Sequence, residues 1–291
     1  MTRVLVVGGG IAGTAAALAA RSAGARVTVV LGRPGATSLA SGALHGPPLT
    51  EDDGALLATL GGVILPGAPA HLLSPAGVLR PARGYDEALF DIAPLRGEVA
   101  VVAGEHRAWH GEALIRGWTA HAEAKSIDVA FRTLPVSLLE SPGEELASDA
   151  ELAAAHDDDA RWERAVGRLQ DALRSHTFAG LCVPPWLGLR ARRGVALREA
   201  LGLPCGEPMS LPGGPAGLRF EARRDAAFAA HGIDALPGEV RRVRLHEGWV
   251  VAELAGATLA HADAVVLCTG GLLGGLAYNS TAGEAARAPF R

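Results

Sequence analysis

Three glycines spaced Gly8-x-Gly10-x-x-Gly13 carry the clearest chemical signal in the chain. In a strand-to-helix turn the first permits a tight bend, the second lets the backbone approach a pyrophosphate, and the third lets helix pack on strand. Amides at the helix start, together with the helix macrodipole, would then stabilise the phosphates. The same chemistry expects an acid at the end of the following strand, to hydrogen-bond an adenosine ribose. Here that strand ends Val29-Val30-Leu31-Gly32-Arg33, with no carboxylate. The absence counts against an ordinary NAD site more than against a nucleotide site of any kind. Arg33 is read either as facing a phosphate or as a solvated loop residue.

Other reactive residue types give weaker signals. Cys182, Cys205 and Cys268 are far apart, odd in number and in no C-x-x-C pair, so neither a disulfide framework nor a zinc or iron–sulfur site is expected, and no metal residues are assigned. Cys268, on an apolar run, is read as a small buried hydrophobe. Asp157-Asp158-Asp159 points its side chains in different directions, which suits a solvated face or a helix start better than a metal site. Trp186, beside two prolines, is read as turn packing rather than as a platform for a ring.

The elements that would position these residues follow from the pattern. Val4 to Val7 is a short apolar run typical of a strand buried on both faces. Thr14 to Ala23 is an Ala-rich helical stretch closed by Gly24, and Val27 to Leu31 is a second strand, which completes one βαβ unit. Helices are expected over 51–60, near 85–90, over 113–124, over 195–201 and over 222–230, with strands over 99–102 and 129–134. The tract 144–175 reads as two helices broken near His156. Loops are expected over 181–188 and 204–217. Val240 to Leu245 and Trp249 to Leu254 form a hairpin around Glu247-Gly248. Ala264 to Cys268 is a late buried strand running into Thr269-Gly270-Gly271.

That hairpin followed by a strand ending Cys-Thr-Gly-Gly is similar to the β-meander and late strand of two-dinucleotide-binding flavoproteins, where this segment closes back on the first βαβ unit. Within that class the chain resembles the B-type flavoprotein subunit of the anaerobic, heterotrimeric glycerol-3-phosphate dehydrogenase. The match rests on four stretches: Leu39-Ala40-Ser41-Gly42-Ala43-Leu44; His71-Leu72-Leu73-Ser74-Pro75-Ala76-Gly77-Val78-Leu79; Cys182-Val183-Pro184-Pro185-Trp186-Leu187-Gly188-Leu189; and Pro208-Met209-Ser210-Leu211-Pro212-Gly213-Gly214-Pro215-Ala216-Gly217-Leu218-Arg219. Members of that family also lack the acid after the second strand.

The resemblance implies a flavin-dependent oxidoreductase that binds FAD, with FMN as the alternative. It would pass electrons from a small hydroxylated substrate toward quinone, beside a second flavoprotein subunit and an iron–sulfur subunit. Cofactor contacts are expected at Gly8, Gly10, Gly13, Arg33, Ser41, Gly42, Thr269 and Gly270. Hydride transfer to a flavin needs a base for the hydroxyl proton. His45, just past the Ser41-Gly42 turn, is the candidate, against the plainer reading of a loop histidine. A phosphorylated substrate would want arginine forks. Arg190, Arg192, Arg193 and Arg219 are considered for that role, with a solvated basic face as the alternative for the first three. Flavoproteins of this class close the site with a further G-x-x-x-A-G-[DE] segment, and nothing over 272–291 fits it. Either the chain is naturally short, it is a piece of a longer one, or a partner supplies that wall. Two further readings stay open: a non-catalytic scaffold within an oxidoreductase complex, and a stand-alone FAD-dependent amine or hydroxy-acid oxidoreductase.

Composition agrees with a folded α/β protein. The chain has 291 residues, 49% apolar and 20% charged, with a formal charge of −4, which excludes intrinsic disorder. A near-neutral balance with five Trp, two Tyr and six Phe argues against a general nucleic-acid binder. No signal peptide and no run of about 18 apolar residues is visible, so a cytoplasmic setting without an integral membrane segment is expected, peripheral to the membrane only through partners. The fold class expected is a Rossmann-like FAD/NAD(P)-binding domain with a parallel sheet and β-meander over 1–95 and 236–291, plus an inserted α+β substrate or cap region over 96–235.

Overall fold

The apolar residues Leu5, Val6 and Val7 are buried in the strand Arg3–Val7. In the computed structural model, which describes residues 1–32, 35–45, 50–104, 106–246, 248–255, 259–270, 276–279 and 284–287, this strand is the centre of a parallel sheet. On one side Val4 to Val7 pair in register with Val27 to Val30 of the strand Arg26–Leu31. On the other they pair with Ala264 to Leu267. The strand Asp234–Pro237 adds outside Arg26–Leu31, so two N-terminal and two C-terminal strands form one four-stranded sheet. The crossover helix Ile11–Ser22 buries Gly13, Thr14, Ala17 and Leu18 and ends before Gly24, whose φ of 84° is left-handed. The strands Val240–His246, Trp249–Leu254 and Leu259–Ala262 form the antiparallel meander. Its Val240, Val243, Val250, Ala252 and Leu254 pack with Leu5, Val7 and Val30.

The chain divides into two compact units, Met1–Leu39 with Arg223–Arg291, and Ala40–Ala222. The sequence reading divides the chain at 95/96 and 235/236. Leu73, Leu79, Phe90, Ile92 and Leu95 share a core with Val99, Val101 and Trp118. Within this second unit a parallel sheet runs in the order Cys205–Gly206, Gly180–Cys182, Gly97–Ala103, Val129–Pro135. Val99 and Val101 face the helix Gly111–Ala124. Ala100 and Val102 face the helices Asp149–Ala155 and Asp159–Leu173. Alternation along one strand thus serves two helical layers. Cys182 and Cys205 lie on adjacent strands but belong to the two opposite cores, so they do not form a disulfide.

Local chemistry explains most boundaries. Asp158 caps Asp159–Leu173 by accepting from the Arg161 amide at 2.8 Å, and His156 is the C-cap of the preceding helix, so the acidic run is a helix start. Three expectations fail. The loop expected over 181–188 begins inside the strand Gly180–Cys182. The stretch 85–90 forms the strand Gly84–Asp86 and a turn in which the Asp86 carboxylate accepts from the Ala88 amide. The loop expected over 204–217 contains the strand Cys205–Gly206, and its end is the start of the helix Pro215–His231, with proline in the first helical position.

Two glycines in helices make opposite predictions. A methyl at Gly117 would lie 2.6 Å from the Gly77 carbonyl oxygen, whereas one at Gly167 meets nothing within 4 Å. In chemical denaturation Gly117→Ala is expected to lose about 1–3 kcal/mol. Gly167→Ala is expected to gain about 0.5–1 kcal/mol.

His156 predicts a pH dependence. Its Nδ1 donates to the Trp186 carbonyl at 2.9 Å, and burial, aided by Arg161, lowers its pKa to about 4. The unfolded histidine titrates near 6.5, so its contribution is complete above that value and is lost as pH falls toward 4. The total is about 3 kcal/mol. Denaturation at pH 7 and pH 5 should show a larger drop for the native chain than for His156→Asn, whose amide keeps a donor and does not titrate. Equal drops would refute the assignment.

Candidate functional site

At the carboxyl edge of the first parallel sheet the three glycines take distinct jobs. Gly8 has φ +111°, and its amide donates to the Val30 carbonyl at 3.0 Å. A Cβ there would fall 2.2 Å from the Cys268 carbonyl oxygen. A Cβ on Gly13 would fall 1.8 Å from the Gly8 oxygen, so helix and strand touch through this residue. Gly10 differs: it is the helix N-cap in extended conformation, and a Cβ there would meet only the Thr37 side chain, with Oγ1 at 3.0 Å. The protein's own backbone therefore demands glycine at Gly8 and Gly13, while at Gly10 the neighbour within 4 Å is a side chain, that of Thr37.

Electrostatics at the turn favours an anion. The first amides of a helix have no intrahelical partner, and no acid occupies the first turn of Ile11–Ser22. Thr37 Oγ1 accepts from the Ile11 amide at 3.1 Å. Sequence reading missed this hydroxyl, because its only signal is a Thr in the turn-rich loop after the second strand. The late strand takes its expected place beside Arg3–Val7 but is not the buried strand expected, since Val266 and Leu267 are exposed. The Cys268 amide donates to the Val7 carbonyl at 2.8 Å, and the Thr269 nitrogen lies 3.5 Å from the Cβ position of Gly8. Gly270 follows with φ +75°. Arg26–Leu31 carries no carboxylate at its end, and the Leu31 carbonyl accepts from the Gly238 amide at 3.0 Å. Arg33 lies outside the described residues.

Ser41, Gly42 and His45 belong to the second unit. The Ser41 carbonyl accepts from the Ser210 amide at 3.0 Å. Gly42 has φ +89° and is crowded by Ala216, Leu89 and Asp86, a packing reason for glycine. His45 is exposed at the end of the short strand Ala43–Leu44. A cavity of about 320 Å³ in this unit is lined by Gly77, Trp109, His110, Asp149, Pro185 and Met209 among others, with no Lys or Arg. His45 does not line it.

Three of the four arginines weighed as phosphate forks are engaged elsewhere, while Arg190 is exposed. Arg192 forms a two-point pair with Glu87 at 2.8 and 2.5 Å. Arg193, nearly buried, binds the His156 and Asp157 carbonyls and Asp159. Arg219 is buried against Glu207, lies 3.2 Å from Asp86 and donates to the Gly188 carbonyl. Burial pushes Glu207 up to about 7. Burial opposes the Arg219 charge, and Asp86 and Glu207 overcome that, holding its pKa above the ordinary value. The solvated-face reading fails for the buried Arg193 but holds for Arg190 and Arg192, which are exposed. Trp186, by contrast, is turn packing: it is buried, and its indole donates to Asp149 at 2.9 Å. Burial raises all three thiols, Cys205 to about 12. Cys268 is half-buried rather than buried. Among the described residues no His, Cys, Asp and Glu group is placed to hold a metal.

The model of one protein family, FAD dependent oxidoreductase (DAO), matches residues 3–192. The chain belongs to this FAD-dependent oxidoreductase family. Its cofactor is FAD, and a helix start with no acid in its first turn suits a pyrophosphate. Iminodiacetate oxidase (IdaA) from Chelativorans sp. BNC1 is similar over 91% of this chain and 54% of its own, at 16% identity and a TM-score of 0.33. A putrescine oxidase with redesigned cofactor binding is similar over 91% of this chain and 57% of its own, at 17% identity and a TM-score of 0.31. The chain thus spans little more than half the length of either oxidase. No curated protein matches it. Among the described residues no helix is long and apolar enough to cross a membrane.

The glycine geometry predicts a split in stability. Gly8→Ala and Gly13→Ala should each lose more than about 2 kcal/mol or fail to fold, since backbone must move. Gly10→Ala should stay within about 1 kcal/mol of the native chain, because only the Thr37 side chain must yield. Thermal melts of the three apoproteins check the order.

Proposed function

We propose that this chain is the FAD-bearing component of a dehydrogenase, similar to the B-type flavoprotein subunit of the anaerobic glycerol-3-phosphate dehydrogenase. It would carry electrons from a small hydroxylated substrate toward quinone, beside a second flavoprotein subunit and an iron–sulfur subunit. The observation that carries the reading is the glycine turn, closed by Cys268 and Thr269 at the carboxyl edge of the parallel sheet, with no acid in the first turn of the helix that follows. Three of the four stretches of the resemblance also supply walls of the 320 Å³ cavity: Pro75 to Gly77, Pro185, and Pro208 with Met209 and Leu211.

FAD, when bound, supplies a two-electron acceptor. The amides after Gly10 would hold its pyrophosphate, with Gly8, Gly13, Thr269 and Gly270 shaping that edge. Arg33, Ser41 and Gly42 remain proposed contacts. His45 is the proposed base, taking the hydroxyl proton as the carbon is oxidised to a carbonyl. One observation favours a second reading. Arg192, Arg193 and Arg219 are all paired with carboxylates, so none offers the fork a phosphorylated substrate would want. That favours an uncharged hydroxylated substrate, or a scaffold that keeps the fold without turnover.

The deciding experiment is a visible spectrum of the purified chain, followed by acid release and identification of the flavin. One FAD per chain is expected. Gly10→Ala should weaken FAD at least about tenfold while leaving the melt of the apoprotein nearly unchanged, because a methyl crowds the pyrophosphate. Anaerobic bleaching by a small alcohol, slowed in His45→Ala, would support turnover. Bound FAD that no substrate bleaches would favour the scaffold. A protein that stays colourless with added FAD would overturn the proposal.

A further inference from the structure

The run Gly8-Gly9-Gly10 holds the most freely rotating peptides of the turn, yet its amides must point one way to bind an anion. Arg224, from the helix Pro215–His231, reaches into it. The residue is buried, at 8% exposure. Its Nη1 donates to the Gly9 carbonyl at 3.1 Å, and its Nε and Nη2 both lie 2.8 Å from Asp225 Oδ1. Burying a guanidinium is costly unless it is paired and hydrogen-bonded. Here both conditions are met, and one of its bonds is to the turn itself. A Cβ on Gly9 would lie 2.2 Å from Leu31 Cδ2 and 3.2 Å from Arg224 Nη1, so the glycine makes room for the contact.

In a trans peptide the carbonyl and the next N–H point in opposite directions, and the chain has no cis peptide among the described residues. Anchoring the Gly9 oxygen on Arg224 therefore aims the Gly10 N–H away from Arg224. We propose that Arg224 is a positioning residue for the FAD pyrophosphate: it stops the Gly9–Gly10 peptide from flipping and presets the Gly10 N–H as a phosphate donor. Its charge adds positive potential behind the turn without touching the ligand. The inference rests on the FAD reading of the turn and adds a residue to it.

The test uses the full chain, stripped of flavin, and the variants Arg224→Gln and Arg224→Lys. FAD and riboflavin, which has no phosphate, are titrated by flavin fluorescence, and each apoprotein is melted. The proposal expects Arg224→Gln to weaken FAD at least about tenfold, with riboflavin binding and the apoprotein melt changed little. Arg224→Lys keeps the charge but loses the fork, and should fall between; it is also the second variant should Arg224→Gln not fold. Unchanged FAD affinity, or equal losses for FAD and riboflavin, would overturn the proposal. Should the native chain bind no FAD, the functional reading fails, and the peptide itself is still testable. In ¹⁵N-glycine spectra of the apoprotein the native Gly10 amide should give one sharp signal and the Arg224→Gln amide a broadened or doubled one. Identical spectra would sink the idea.

Discussion

The ladders on both sides of Val4 to Val7 are the constraint on which the rest of the first unit depends. Val7 stands level with Val30 on one side and Leu267 on the other, so three parallel strands end together. That shared end brings Gly8 against Cys268 from the far end of the chain and leaves no room for a Cβ at Gly8 or Gly13. Strand register, set by buried apolar side chains, thus dictates the glycine spacing. The phosphate chemistry of the turn is a consequence of that packing. A one-residue slip would turn Leu5 and Val7 out of the core they share with the meander.

A different constraint organises the second unit, where much of the chain between helices is loop. Carboxylates there, buried at Asp86 and Glu207 and half-buried at Asp157, satisfy loop amides that have no ladder partner. Asp157 accepts from Leu189, Arg190 and Ala191, Glu207 from Leu187, and Asp86 from Ala88. Buried backbone donors require such partners. The two buried carboxylates, Asp86 and Glu207, share the buried Arg219 as their cation. Arg219 is therefore one step removed from the loops it holds, and removing it would leave buried carboxylates unpaired, costing about 3–5 kcal/mol.

How much of this was legible depended on the range of the interaction. The first βαβ unit, the hairpin of 240–254 and the break at His156 rest on local signals: an apolar run, a glycine turn, a capping acid. The strand Asp234–Pro237 carries no such signal, because all four residues of this edge strand are exposed and no alternation is imposed on them. Tyr85 to Phe90 has helix-like composition, but a single Asp86 side chain captures the Ala88 amide and turns the chain. In the site, Gly8, Gly10 and Gly13 were readable from spacing alone. Thr37 and Arg224 were not, since each matters through one long-range contact. The forks imagined for Arg192, Arg193 and Arg219 failed for the same reason: their carboxylates sit elsewhere in sequence.

The missing acid after the second strand has a physical consequence for the proposed placement of FAD. A carboxylate there would accept from the ribose, but it would also add a negative charge near two phosphate charges. With Leu31 and Gly32 in its place, the adenosine end loses a hydrogen bond and the pyrophosphate loses a repulsion. Cofactor affinity then rests more heavily on the turn amides, which leaves their direction little tolerance. A run of three glycines is poorly suited to hold such a direction by itself. A buried guanidinium bonded to the middle carbonyl supplies the missing rigidity, and it does so from a helix rather than from the loop that must admit the ligand.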